Sequence, residues 1–298
     1  MREVASTGTD AATDVFLAHR DLLFTVAYEM LGTAADAEDV LQETWLRWSG
    51  IDLDSVRSQR AYLVQITTRQ ALMRLRTLGR RRESYVGPWL PEPLLTAPDV
   101  AEDVELAESV SMAMLLVLET LKPLERAVFV LHEVFDLPHD EIAMSVGKTP
   151  EAVRQIAHRA RAHVADRKPR GEVTPVQVRH ATSAFQQTVA TGDLQHLLDI
   201  LAPDVVLLTD GGGVVQAALA PIVGASEVAD VIARLSRTSG ISLGLTQVNG
   251  HPALVLEADG TVDSVLAMRF DDGLVSGLYA VRNPEKLSHM NNEVVLRR

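Results

Sequence analysis

The four residues Gly147-Lys148-Thr149-Pro150 constrain this chain more than any other short stretch. Glycine takes the positive φ of a tight turn without a steric penalty. Threonine caps a helix through its side-chain oxygen, and proline suits the first helical position, where an N–H is not needed. Before them, Asp136–Gly147 reads as a short helix that stops at glycine; after them, Pro150–Val164 reads as a second helix. Ile142, Ala143, Val146, Val153, Ile156 and Ala157 fall where the two would pack. Thr149 caps the second helix, and Glu151, Arg154, Gln155, His158, Arg159 and Arg161 are left on its other faces. This is the pattern of a helix-turn-helix, whose second helix reads base edges in the major groove through residues such as Arg and Gln. A plain helical hairpin with a solvated basic face has the same periodicity. The cap, the proline, the glycine and the basic run that follows favour DNA.

The formal net charge of −12 runs against DNA binding only as an average. Arg60–Glu83 carries seven Arg against one Glu, and Lys148–Arg170 carries seven Lys or Arg against two acids. Glu92–Glu108 between them holds six acids and no base. Phosphate contact depends on local charge, so two basic segments survive the acidic total. That total limits nonspecific adhesion and points to a partner for high affinity. The absence of cysteine excludes disulfides and thiolate metal sites. The nine histidines are scattered without H-E-x-x-H spacing, so neither metal nor cofactor is expected. No apolar run reaches the roughly 18–20 residues of a membrane span, and the first ten residues lack the apolar stretch of a signal peptide. The chain is therefore read as soluble and cytoplasmic, with no membrane partner.

Asp14 to about Glu83 reads as three helices, with breaks at Gly32-Thr33 and near Asp54-Ser55. Four prolines in Gly87–Pro98 rule out a regular helix and mark a linker. Helical patterning returns from Val104 to Leu121 and from Leu124 to Phe135. Val176–Val189 and Asp193–Leu201 also read as helices. Strand-like runs follow at Val205–Leu208, Ala253–Glu257, Val265–Phe270 and Val275–Val281, separated by Gly and Asp turns. Helices followed by a meander predict an α+β domain.

Three segments together resemble the extracytoplasmic-function sigma factors, which direct bacterial RNA polymerase to promoters. Asp36–Trp48 resembles the helix of that family that binds core polymerase, and Ala61–Arg76 its promoter-melting helix. Leu121–Leu131 with the helix-turn-helix resembles the domain that reads the upstream promoter element. Trp89-Leu-Pro-Glu-Pro93, Asp210-Gly-Gly-Gly213 and Asn283-Pro-Glu-Lys-Leu287 are similar to signatures of a subgroup with a SnoaL-like extension. The resemblance implies a multidomain chain: two all-α domains, the second with a helix-turn-helix, then a cone-shaped α+β domain of the nuclear-transport-factor-two (NTF2) type. The boundaries expected are 10–86 for the first sigma region, 87–103 for the linker, 104–168 for the second region and 172–290 for the extension.

The resemblance also implies roles. Asp36, Asp39, Gln42, Glu43 and Trp45 would meet core polymerase, and Arg69, Arg74, Arg76, Arg80, Arg81 and Arg82 the melted promoter element. Trp89, Pro91 and Glu92 of the linker would contact Asp210, Gly211, Gly212, Gly213, Asn283 and Pro284, regulating the factor in cis without a separate anti-sigma factor. A small-molecule ligand in the extension would bias that contact. Two positions depart from the family pattern: Val214 stands where a lysine is usual, and Met73 where an aspartate is common. No catalytic residue is expected, because Asp204, Asp210, His180, His196 and His251 form no paired constellation. Two other readings remain: an isomerase or cyclase tethered to a DNA-binding module, and a helix-turn-helix repressor that never engages polymerase. The repressor has no need of the Asp36–Trp48 segment.

Overall fold

A computed structural model describes residues 4–97, 100, 103–168, 175–236, 241–290 and 292–298. Two compact units emerge. One comprises Met1–Arg81, Val117–Arg167 and Val295–Arg298; the other comprises Arg82–Leu116 and Lys168–Val294.

The first unit is helical. Helices α1 (Val4–Leu31), α2 (Ala34–Trp48) and α3 (Gln59–Glu83) lead it. Gly32, at φ 78°, ends α1, and Thr33 caps α2 by accepting from the Asp36 amide. Trp48 is fully buried and donates through its indole N–H to the Ala12 carbonyl at 2.8 Å. Further along the chain comes α6 (Pro123–Phe129), after α4 (Val104–Val110), which belongs to the second unit, and α5 (Met112–Glu119), which runs across the boundary at Leu116. A π-helical turn at Val130–Val134 precedes α7 (His139–Val146) and α8 (Pro150–Ala165). Arg126 is the unit's buried cation. Its Nε donates to the Glu29 carbonyl at 2.9 Å and its guanidinium pairs with Glu119. Burial pushes its pKa down to about 9, opposed by the nearby Glu29 carboxylate. It therefore stays charged at neutral pH and ties α6 to α1.

The second unit is built on a six-stranded sheet. The strands are β1 (Leu201–Asp210), β2 (Ile222–Val223), β3 (Ile241–Val248), β4 (His251–Ala258), β5 (Thr261–Asp271) and β6 (Leu274–Val281), in the order β2-β1-β6-β5-β4-β3. The run from β3 to β6 is an antiparallel meander, and β1 joins β6 in parallel. Successive residues point to opposite faces of a strand, and both faces of this sheet are covered. Leu254, Val275 and Leu278 pack with Phe185 of α9 (Pro175–Thr191), Leu197 of α10 (Leu194–Ile200) and Val228 of α11 (Ala225–Ser236). Ala253, Val265, Tyr279 and Val281 pack instead with Leu90 of the linker and with Met112 and Ala113 of α5. The short helix α12 (Pro284–Leu287) closes the unit.

Four elements of this unit, α11, β3, β2 and α12, were not anticipated from the sequence. In α11 the buried residues Val228, Ala229 and Ile232 lie at helical spacing, although the sequence reading assigns no element between Leu208 and Ala253. Among the described side chains of β3 only Val248 is buried, and Gly244 interrupts the pattern.

Candidate nucleic-acid interface and linker-binding site

The helix-turn-helix is α7 and α8. Gly147 takes left-handed geometry (φ 67°) and donates to the Ala143 carbonyl, and the Thr149 hydroxyl accepts from the Ala152 amide at 3.3 Å. Ile142, Ala143, Val153, Ile156 and Ala157 are buried between the helices and their support. Thr149, Glu151, Arg154, Gln155, His158, Arg159 and Arg161 are all exposed. Their charges are not equally available. Arg154 pairs with Glu151 at 2.9 Å, and Arg161 pairs with Glu133 at 2.6 Å. A backbone hydrogen bond at the start of α8 holds the Glu151 carboxyl below the usual range, with Arg154 adding to the effect.

On α2 the exposed side chains include Asp39, Gln42, Glu43 and Leu46. Trp45 is half-buried, its ring 5.4 Å from that of Phe16, and it lines a groove with Arg20, Glu38 and Gln42. Asp36 is not on that surface. It is buried, accepting from the Thr33 hydroxyl at 2.6 Å and from Arg74 Nε at 2.8 Å. Its carboxylate shapes the start of α2 and holds Arg74 there.

The six arginines of α3, one run in the sequence, have separate surroundings. Arg74 bridges Asp36 and Asp39, and those contacts raise its pKa. Arg69 donates to the Met144 and Ser145 carbonyls at 2.9 and 3.3 Å, at the C-terminal end of α7, where a cation suits the helix dipole. Arg76 is exposed. Arg82 stacks on Trp89, its guanidinium carbon 3.8 Å from the ring centroid. The side chains of Arg80 and Arg81 lie outside the described residues. Met73, where an aspartate is common, is exposed on the same helix.

The linker site is built around Asp210, the last residue of β1, which is fully buried. Its Oδ1 accepts from the Tyr85 hydroxyl at 2.6 Å and from the Gly212 amide at 3.1 Å. Its Oδ2 accepts from the Leu90 amide at 2.8 Å and from the Lys286 ammonium at 2.7 Å. Its carbonyl accepts from the Arg282 and Asn283 amides. Asn283 Nδ2 donates to the Tyr85 oxygen at 2.9 Å, and Asn283 Oδ1 caps α12 by accepting from the Glu285 amide at 3.0 Å. Lys286 donates to the Leu90 carbonyl at 2.5 Å and faces the Trp89 ring at 4.3 Å. Burial drives the Lys286 pKa down to about 8 against the pull of Asp210, and burial followed by the Asp210 hydrogen bond raises that of Tyr85.

The glycines next to Asp210 make room for these contacts. A Cβ on Gly212, at φ 64°, would lie 2.4 Å from Asn283 Nδ2. One on Gly213 would press on Val86 at 3.1 Å, and one on Gly211 would strike the Val215 carbonyl at 2.4 Å. Pro91 and Glu92 are buried, and Pro284 opens α12. The structure thus brings together Trp89, Asp210, Gly212 and Asn283. It adds Tyr85, Leu90 and Lys286, which were not anticipated as site residues. Lys286 lay inside a recognised signature, three residues after Asn283, and that spacing was the available signal. Val214 is exposed.

The acid–base candidates do not converge. Asp204, His180 and His196 are exposed. His251 hydrogen-bonds the Asn249 carbonyl, and burial lowers its pKa.

Sigma-70 region 2 matches residues 15–81, and sigma-70 region 4 matches residues 111–164. With the helical pair at 139–165, those matches define a transcription-initiation factor of the sigma class, a non-enzymatic one. The chain belongs to the extracytoplasmic-function sigma factors. It is 35% identical to the ECF RNA polymerase sigma factor SigJ of Mycobacterium tuberculosis over 92% of each chain. It is 32% identical to the probable ECF RNA polymerase sigma factor SigI of the same species, over 96% of this chain and 98% of that one. The crystal structure of M. tuberculosis SigJ aligns with a TM-score of 0.75 at 32% identity, covering 93% of this chain and 98% of that chain. The likeness includes the C-terminal α+β domain.

Proposed function

We propose that this sigma factor is controlled in cis by its α+β domain, through docking of the linker onto Asp210 and Lys286. The sigma regions direct RNA polymerase to promoters. One observation carries the finer reading. The segment Arg82–Leu116, which covers the stretch between the two sigma-region matches and the first residues of the second, belongs to the same compact unit as the sheet. Docking therefore fixes the segment that must adjust when two promoter elements are read at once. No separate anti-sigma protein is needed for such control.

Within this reading the factor acts in the cytoplasm, where polymerase and promoter are. Asp39, Gln42, Glu43 and Trp45 meet core polymerase. Gln155, His158 and Arg159 read the upstream element, with Arg154, Arg161 and the capped start of α8 beside them. Arg69, Arg74, Arg76 and Arg80–Arg82 serve the melted element once their internal contacts open. A small-molecule ligand of the extension would have to compete with Leu90 and Met112, which already pack on its sheet. It shifts the balance only through unequal affinity for the docked and undocked states.

The test is run-off transcription with core polymerase, comparing the full chain with an Asp210→Ala, Lys286→Met variant and with residues 1–171. Altered promoter output in both supports cis control, and its direction gives the sign. Equal output from all three forms, each folded and bound to polymerase, removes it.

A further inference from the structure

The Asp210 site holds more than a point contact with the linker. Both polar atoms of Leu90 are taken by side chains of the α+β domain, the amide by Asp210 at 2.8 Å and the carbonyl by Lys286 at 2.5 Å. The Leu90 side chain is fully buried in the sheet's core. Pro91 follows, and it has no N–H to satisfy. Four residues after Leu90 the same device recurs. Asn249 Oδ1 accepts from the Leu94 amide at 2.9 Å, and the Asn249 amide donates to the Leu94 carbonyl at 2.9 Å. Leu94 is 1% exposed. Asn249 is itself held in left-handed geometry (φ 54°) and anchored by its Nδ2 to the Val110 carbonyl. The chain then pairs with β3, the Thr96 amide donating to the Gln247 carbonyl, and with the C-terminal tail, the Val294 amide donating to the Leu95 carbonyl.

The geometry points to a peptide-binding site in the α+β domain, selective for an extended aromatic-Leu-Pro-x-x-Leu segment, with the chain's own linker as its resident occupant. This rests on the docking reading above and names the ligand class of that site. Main-chain hydrogen bonds supply affinity and side-chain pockets supply selectivity, as in other modes of extended-peptide capture. Nothing in the contacts requires the peptide to be continuous with the domain, so a segment of this chemistry from another chain binds when the linker leaves. Tethering gives the linker an effective concentration in the millimolar range, which keeps competitors out while it stays docked.

The probe is a fluorescein-labelled peptide of residues 86–97, VGPWLPEPLLTA. It is titrated into the full chain carrying Leu90→Asp and Leu94→Asp, which empties the site, and into a milder Leu90→Ala, Leu94→Ala form. Saturable binding is expected to both. The unmodified chain should bind about 100-fold more weakly because the tethered segment competes. Asp210→Asn in the emptied background should weaken binding at least about tenfold, the worth of a hydrogen bond to a charged group. A peptide with the leucines of positions 90 and 94 replaced by aspartate should not bind. A folded, emptied chain that ignores the peptide overturns the proposal. So does one that takes both peptides equally, or that takes an apolar naphthalene-sulfonate dye and not the peptide. On the unmodified chain, peptide at several millimolar should speed exchange of the Leu90 and Leu94 amides, and unchanged exchange overturns the proposal too. Transcription by the same variants is read separately. Peptide binding with unaltered promoter output would sink cis control alone, and the converse would sink the peptide site alone.

Discussion

Asp210 and Lys286 meet at 2.7 Å with side chains 0% and 9% exposed, and each also holds one polar atom of Leu90. A buried ion pair adds little net stability unless its remaining hydrogen-bonding capacity is used. Here the linker peptide uses it, so the pair and the docked linker depend on each other.

That dependence has a pH signature. Lys286 titrates at about 8 in the folded chain against an ordinary 10.5. Between those values the unfolded chain binds the extra proton, so stability rises with pH from about 8 to 10.5. Tyr85 is raised above its ordinary 10.0, so above pH 10 the unfolded chain loses a proton the folded chain keeps, and stability falls. Urea melts at successive pH values, each compared with a variant, separate the two. Arg126, at about 9 against an ordinary 12.5, adds a rise of its own above pH 9, so Lys286→Met should remove only the Lys286 share of the rising limb, and Tyr85→Phe the Tyr85 share of the fall above pH 10.

Gly212→Ala should destabilise the second unit by more than Gly192→Ala does. Both glycines have positive φ, 64° and 71°, so both variants carry a backbone cost of about 1 kcal/mol. A Cβ at Gly192 meets nothing within 4 Å, whereas one at Gly212 runs into Asn283. The difference between the two melting shifts isolates that clash, and equal shifts would refute it.

Promoter binding by the holoenzyme should depend on salt unequally across α8. Arg159 is exposed, so Arg159→Ala should lower the magnitude of the log K against log salt slope by about 1 if it neutralises one phosphate. Arg161 is paired with Glu133, so Arg161→Ala should change the slope less. Gln155→Ala should instead relax base preference at one position, by about 1–3 kcal/mol for a bidentate contact.

Arg126→Ala should be among the most damaging single changes in the helical unit. It leaves the Glu119 carboxylate without its buried cation and the Glu29 carbonyl without a donor, a loss of about 3–5 kcal/mol for a broken buried pair. Arg126→Met keeps the aliphatic volume and should recover part of that. Chemical denaturation of both variants tests the order.

The helix-turn-helix was legible because its signals are local: Gly147, Thr149 and Pro150 act on their own backbone. The linker site was legible in outline, since Trp89, Asp210 and Asn283 each sit in a recognisable stretch. Lys286 and Tyr85 were not, because their roles exist only once 76 to 198 residues of chain separation are closed. Asn249-Gly250 marks the β3–β4 hairpin in the sequence, yet nothing local says that the asparagine also reads Leu94. The arginines of α3 misled for the same reason. As a run they form one basic surface, whereas Arg69, Arg74 and Arg82 each have a partner supplied by a different element.

Leu90, buried on the sheet, gives the domain a ligand that is synthesised with it, one per molecule. Its occupancy cannot be diluted. The set point of such a device is written in the docking free energy alone. Growth rate, expression level and cell volume leave it untouched. An input registers only by changing what the docked segment is worth, whether by pulling on its ends or by offering the sheet a better peptide.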